Sequence, residues 1–183
     1  SAATVRGISG LVAVNSLMAM VGGILVVLWI SKNDPGFIHN GALAGLVSIC
    51  AGSDKVHPLG ALIIGGLAGA IFVKGFTWEQ EKLKIDDVLG VWPLHGICGS
   101  WGGIACGIFG QESLGGLGGV SILAQIIGSV AAIVIALTSG FIVYKTLNSL
   151  FGIRLEADEE MKGSDLTIHK LESYPEDVTS RFS

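Results

Sequence analysis

Charged residues are scarce in this chain of 183 residues. There are 11 Lys and Arg and 15 Asp and Glu, so only 14% of the sequence is charged, against roughly a quarter in an average soluble domain. Residues 1–150 carry 7 basic and 7 acidic residues, which cancel, whereas residues 151–183 carry 4 and 8, a net charge of −4. No basic face is available to meet phosphates, which argues against a nucleic acid as partner. Half of the residues are hydrophobic, and the composition indicates a protein of the lipid bilayer.

Cysteine is also rare. Cys50, Cys98 and Cys106 have no regular spacing, which argues against a disulfide framework or a cysteine-based metal site. We predict no metal and no cofactor. A membrane enzyme with His95 as general base would need a nucleophile or metal ligands nearby, and only Cys98 is close in sequence. We therefore do not expect an enzyme.

Five charge-free stretches each allow a helix of about 20 apolar residues, the length that crosses a bilayer. The fifth begins with a glycine-rich loop, so its helix is placed from about Ser121. The stretches are Gly7–Ser31, Pro35–Ser53, Val56–Val73, Val88–Gln111 and Ser113–Tyr144. The predicted fold is an all-α polytopic membrane protein, with about five transmembrane helices in residues 1–150 and a tail in residues 151–183.

The basic residues near the span ends predict the orientation, since cytoplasmic loops carry an excess of Lys and Arg. With five spans, only Arg6 and Lys55 lie on one side. The other side carries Lys32, Lys74, Lys82, Lys84, Lys145 and Arg154. The tail is therefore predicted to be cytoplasmic, in a multi-pass protein of the cell membrane.

Glycines recur every fourth residue within three of the spans. The series are Gly41 and Gly45, Gly65 and Gly69, and Gly99, Gly103 and Gly107. Such series form grooves that let helix backbones approach closely in lipid. They predict a compact helical bundle.

His95 is the strongest candidate for a functional residue. It lies about seven residues into the fourth span and starts the i, i+4 series of Gly99, Gly103 and Gly107, so we expect it on a face that packs against protein. An ionisable side chain at that depth indicates a functional site, although a purely structural histidine is the alternative. Burial disfavours the charged imidazolium, so a neutral ring with one donor and one acceptor is expected.

Asp86 and Asp87 precede the same span. Carboxylates at a helix start accept from its free N–H groups and suit the positive end of the helix dipole. A structural role at the cytoplasmic helix start is therefore predicted for both.

Three motifs go beyond composition. Asn40-Gly-Ala-Leu-Ala-Gly-Leu-Val47 and Asp86-Asp-Val-Leu-Gly-Val-Trp-Pro-Leu-His-Gly-Ile-Cys-Gly99 resemble the eighth and tenth helices of the ammonium transporter family (Amt/Mep, related to the Rh proteins). The stretch from Gly152 through Tyr174 resembles the cytoplasmic C-terminal segment of that family. By this resemblance the five spans correspond to helices 7–11 of an eleven-helix fold.

The resemblance implies a homotrimer with a hydrophobic pore in each subunit, through which ammonium passes as ammonia after losing a proton. It places His95 on the second of two stacked pore histidines, and Val91 and Leu43 on apolar pore-lining positions. It also relates Ser1 to a serine of the outer ammonium site. An ammonium sensor on the same fold is the alternative function.

The family's partner histidine and recruitment aspartate lie in an N-terminal half without counterpart in these residues. We therefore expect this chain to be the C-terminal piece of a longer transporter and to need that half as a partner. The resemblance further assigns Arg154, Asp165, His169 and Tyr174 to a regulatory tail read by a PII-type signal protein. A solubilising acidic end is the alternative for this tail, which lacks an apolar run and is expected to be disordered when alone.

Overall fold

The computed structural model describes residues 2–163 and 165–169. These residues form six α-helices and several short segments of other helix types. They are α1 (Ala2–Ile30), α2 (Pro35–Ile49), α3 (Pro58–Trp78), α4 (Cys98–Phe109), α5 (Ile122–Phe151) and α6 (Ala157–Lys162). A first π-helix (Glu79–Leu83) extends α3, a second π-helix (Trp92–Ile97) precedes α4, and a 3₁₀-turn covers Glu112–Leu114.

Apolar helices lie in all five predicted stretches. By length and composition, three of the described helices can cross a membrane: Gly7–Ile30, Pro58–Leu83 and Ile122–Phe151. The helix in the second predicted stretch, α2, has 15 residues. The helix in the fourth predicted stretch is divided into a π-helical and an α-helical part. The helical character agrees with the predicted fold class.

The third helix does not end with its charge-free stretch at Val73 but continues through the first π-helix to Leu83. Charged residues ended the apolar stretch, but Lys, Glu and Gln are good helix formers and do not end a helix.

Ala19 of α1 is fully buried between α2 and α3. A Cβ atom on Gly45 of α2 or on Gly65 of α3 would overlap the backbone carbonyl of Ala19, and one on Gly23 would overlap that of Gly41. These contacts confirm that the glycine series of α2 and α3 mark sites of close backbone approach. The residue pairs 19–45 and 23–41 run in opposite directions, so α1 and α2 are antiparallel.

The fourth helix packs against α3 through two hydrogen bonds from side chains to backbone. Cys98 Sγ donates to the carbonyl of Ala68 (3.4 Å), and Trp101 Nε1 donates to that of Ile64 (3.1 Å). These contacts make α3 and α4 antiparallel. Because α3 ends beside the start of α2, where Phe37 contacts Phe72 and Phe76 edge to face, the second π-helix begins at the same end of the bundle. We call this end, which carries the α1–α2 turn, the α1–α2 end.

The chain divides into two compact units, the first ending at Ile135 and the second beginning at Ala136. All contacts described above belong to the first unit. In the second unit, α6 and a π-helical turn over Asp165–His169 follow the end of α5. Glu156 starts α6 and Gly163 (φ +89°) ends it, and the disorder expected of the tail when alone stays a prediction.

Candidate functional site

His95 lies in the second π-helix, where the N–H of Cys98 donates to the carbonyl of Pro93. A π-helical turn of this kind is rare, and within an α-helical span it frequently marks a functional site. The sequence did not predict it. The wider turn also changes the phase of the side chains, so the spacing of four residues from His95 to Gly99 no longer holds them on one α-helical face.

Within the part of the chain that the structure describes, the side chain of His95 is exposed. The protein contact expected for His95 is not made within this part of the chain, and the expectation stays a prediction. Among the described residues it makes no hydrogen bond that would explain it as a structural histidine. An exposed imidazole beside apolar helices remains available to a ligand.

Leu43 of α2 lies at about the same level as His95. A Cβ atom on Gly99 would lie 3.8 Å from Val47 Cγ1, and one on Gly102 would overlap the carbonyl of Ser48, so α2 and α4 run parallel. Leu43 precedes Val47 by four residues, as His95 precedes Gly99, which places both about one turn before this contact. Leu43 is 37% exposed. An apolar side chain thus accompanies the imidazole on adjacent helices.

Val91 is 51% exposed and directly precedes the second π-helix. The structure therefore brings an open imidazole and exposed apolar side chains to the same region of the bundle. An apolar surface with one proton acceptor can take up a proton, but it cannot compensate a cation for the hydration that the cation loses there.

Gly103 and Gly107 do not share a partner with Gly99. They face the first part of α5, where a Cβ atom on Gly107 would lie 2.9 Å from Ile122 Cα and one on Gly103 would overlap Ser129 Oγ. The glycine of α4 that approaches the backbone of α2 most closely is Gly102, which does not belong to the series of four. The three glycines therefore confirm close packing but not one common face.

Asp87 caps the start of the second π-helix, which carries His95. Its Oδ2 accepts the backbone N–H of Trp92 at 2.9 Å. Burial by itself raises the pKa of this carboxyl, but hydrogen bonds from the backbone N–H groups of residues 89–92 lower the pKa, and the net result lies below the usual value. Asp87 is thus the ionised cap of this helix. Asp86 is exposed and makes no such bond among the described residues.

Two buried polar residues were missed by the sequence analysis. Asn15, fully buried in α1, donates from Nδ2 to the carbonyls of Ser53 and Val56, both at 2.8 Å. Asn15 thereby supplies hydrogen-bond donors to two backbone carbonyls of the turn between α2 and α3. Glu79, at the end of α3, is 3% exposed. In the sequence, a lone Asn in an apolar stretch could have indicated a buried polar side chain. The burial of Glu79 could not be predicted in this way, because it depends on the turn that follows Glu79.

A cavity of about 280 Å³ opens near Asp87 at the α1–α2 end. It is lined by Asp34, Gly36, Phe37, Asn40, Phe72, Phe76 and Val88. Phe72 and Phe76 also pack around Gly90, whose φ of +69° suits glycine. The three phenylalanines give this cavity a rigid aromatic wall.

His39 lies within α2 and is exposed, and His57 caps α3 by accepting the N–H of Leu59 at 3.2 Å.

In the tail, Arg154 pairs with Glu160 of α6, with both carboxylate oxygens 3.2 Å from the guanidinium. The pair is exposed, so it contributes less than about 1 kcal/mol to stability. Asp165 and His169 belong to the last π-helical turn, and His169 is exposed. Ser1 and Tyr174 lie outside the described residues.

Close-packed apolar helices and an open histidine in a π-turn define a polytopic helical membrane protein. The chain belongs to the ammonium transporter family, whose family model matches residues 1–174. It is 45% identical over 172 residues to the ammonium transporter Amt2 of Methanocaldococcus jannaschii, covering 93% of this chain and 41% of that protein. The chain thus spans about two fifths of this relative.

Solved structures agree. A sensor Amt protein superimposes with a TM-score of 0.75 at 28% identity, covering 89% of this chain and 42% of that one. Mep2 of Saccharomyces cerevisiae superimposes with a TM-score of 0.71, covering 82% of this chain and 38% of that one; at 23% identity, this likeness supports the fold alone.

Proposed function

We propose that this chain forms part of a transporter that moves ammonium across the cell membrane as ammonia and a proton. The observation that carries the proposal is the position of His95, open on a π-turn at the level of Leu43, in a chain of the ammonium transporter family. Val91 and Leu43 line the apolar path, and His95 accepts and releases the proton.

The chemistry favours separation of the proton from ammonia. An intact cation in a dry apolar pore would lose hydration worth several kcal/mol. Val91 and Leu43 offer no polar atom in return. A neutral imidazole can accept a proton from ammonium and release it on the other side of the ring. No bond other than those to the proton forms or breaks.

The exposed face around His95 needs a cover in lipid, because polar groups are costly there. We propose that the N-terminal half of a full-length transporter supplies it, with the partner histidine and the outer ammonium site, to which Ser1 contributes. The assembly is a homotrimer with a cytoplasmic C-terminus. The tail, with Arg154, Asp165, His169 and Tyr174, binds a PII-type signal protein.

Uptake of radiolabelled methylammonium into proteoliposomes tests transport. The full-length protein is expected to accumulate the label, with competition by ammonium and none by potassium. An ammonium sensor is the second candidate, since one structural neighbour is named a sensor Amt protein. Saturable ammonium binding without net uptake would favour the sensor and contradict transport.

Deleting residues 156–183 from the full-length protein is expected to lower ammonium flux and abolish capture of a PII-type protein. The deletion removes α6 and with it the partner of Arg154. Arg154→Ala is expected to weaken coupling between subunits. Glu160→Gln is the matched control, because it breaks the ion pair and retains the guanidinium. Normal flux and normal capture by the truncated protein would identify the tail as a solubilising end.

A further inference from the structure

Glu79 is a carboxyl group in an unusual place. It ends α3 with 3% of its surface exposed, and its Oε2 has no hydrogen-bond partner among the described residues. A buried carboxylate without a cation or donors costs several kcal/mol, so such a group either binds a cation or carries a proton. Its environment decides between these states.

The chain after Glu79 turns back over it. The backbone carbonyl of Glu79 accepts from the N–H groups of Lys84, in the left-handed conformation (φ +57°), and Ile85 (3.4 Å). The side chain of Gln80 donates to the carbonyl of Asp87 at 3.4 Å. These bonds bring the segment that carries Asp87 back beside Glu79, so that the two carboxyl groups interact electrostatically.

The packing on both sides fixes this approach. The indole rings of Trp78 and Trp92 lie 6.0 Å apart, and a Cβ atom on Gly75 would meet Pro93 Cβ at 3.2 Å. The end of α3 is therefore held against the start of the His95 helix. The backbone segments that carry Glu79 and Asp87 are thereby held beside each other.

Asp87 is the charged group that faces Glu79. Lys82 and Lys84 belong to the same turn but are exposed. The ion pairs of the described residues join Lys55 to Asp54 and Arg154 to Glu160, so neither Glu79 nor Asp87 has a cationic partner there. Two carboxylates are both acceptors, and a hydrogen bond between them requires one proton.

We propose that Glu79 and Asp87 form a proton-binding site at the α1–α2 end. In this site Glu79 carries the proton and donates a hydrogen bond to the carboxylate of Asp87. Asp87 is the ionised member because its Oδ2 already accepts the N–H of Trp92. Removal of the proton leaves two adjacent negative charges under the helix that carries His95. The site does not depend on the proposed transport.

Infrared difference spectroscopy of the purified full-length protein tests the site. At neutral pH we expect the C=O stretch of a protonated carboxylic acid, absent from Glu79→Gln, which retains the volume and a donor toward Asp87. Glu81→Gln is the matched control, two residues away and exposed, and is expected to keep the band. A band that persists in Glu79→Gln, or no such band in the unmodified protein, would overturn the proposal.

A second variant distinguishes the pair from an isolated buried glutamate. Asp87→Asn removes the facing charge, so the band is expected to be lost about one pH unit or more lower than in the unmodified protein, as like charges shift each other. An unchanged titration of the band would contradict the pair. So would loss of the band on adding ammonium chloride at constant pH, because the site would then hold a cation in place of a proton.

Discussion

His95→Ala in the full-length protein is expected to lower ammonium flux by about 10²-fold, the contribution typical of a positioned proton-transfer group, or to admit potassium. The substitution removes the only proton acceptor that we place on this stretch of the path and leaves apolar side chains such as Leu43. Any flux that remains must then pass through a wider and less selective opening. Ammonium currents and potassium exclusion, measured in the same liposomes, report both effects.

His95→Asn separates proton transfer from simple hydrogen bonding. Asparagine keeps a donor and an acceptor but does not titrate near neutral pH, so flux is expected to fall while potassium stays excluded. His39→Ala is the matched control, since His39 is exposed on α2. If His95→Ala leaves both currents and exclusion unchanged, the proposed relay is wrong.

Gly65→Ala is expected to destabilise the protein by about 3 kcal/mol or more, the upper range for overpacked cores. The new methyl group would overlap the carbonyl of Ala19, and the carbonyl carbon and Cα of Ala19 would both lie 2.6 Å away. All three are backbone atoms, so α1 and α3 must separate. Thermal unfolding of the full-length protein in detergent is expected to show a clearly lower midpoint.

Gly66→Ala, at the next position of the same helix, is the matched control. Its methyl group would first meet Val26 Cγ2 at 3.1 Å, an atom of a side chain that can shift. Replacement of Gly by Ala within a helix otherwise stabilises by up to about 1 kcal/mol. Equal unfolding midpoints for Gly65→Ala and Gly66→Ala would show that the contact with Ala19 is not decisive.

The sequence determined the class of fold. Charge is so scarce, and the apolar stretches are so long, that helices in a bilayer were the consistent solution for residues 1–150. The spacing of Gly41, Gly45, Gly65 and Gly69 predicted close helix packing, since a missing Cβ is a property of the residue itself. Asp87 was likewise predicted to cap a helix start, because the free N–H groups there need acceptors.

Tertiary structure decided the neighbours and the phase of the side chains. The π-turn at Trp92–Ile97 placed His95 on an open face, and Gly102, outside the series of four, makes the closest backbone approach to α2. Glu79 and Asp87 lie eight residues apart in sequence, and their approach depends on the left-handed turn at Lys84 and on the packing of Trp78 against Trp92. Composition and periodicity describe each segment alone, whereas a shared proton requires two segments to meet, and only the folded chain brings them together.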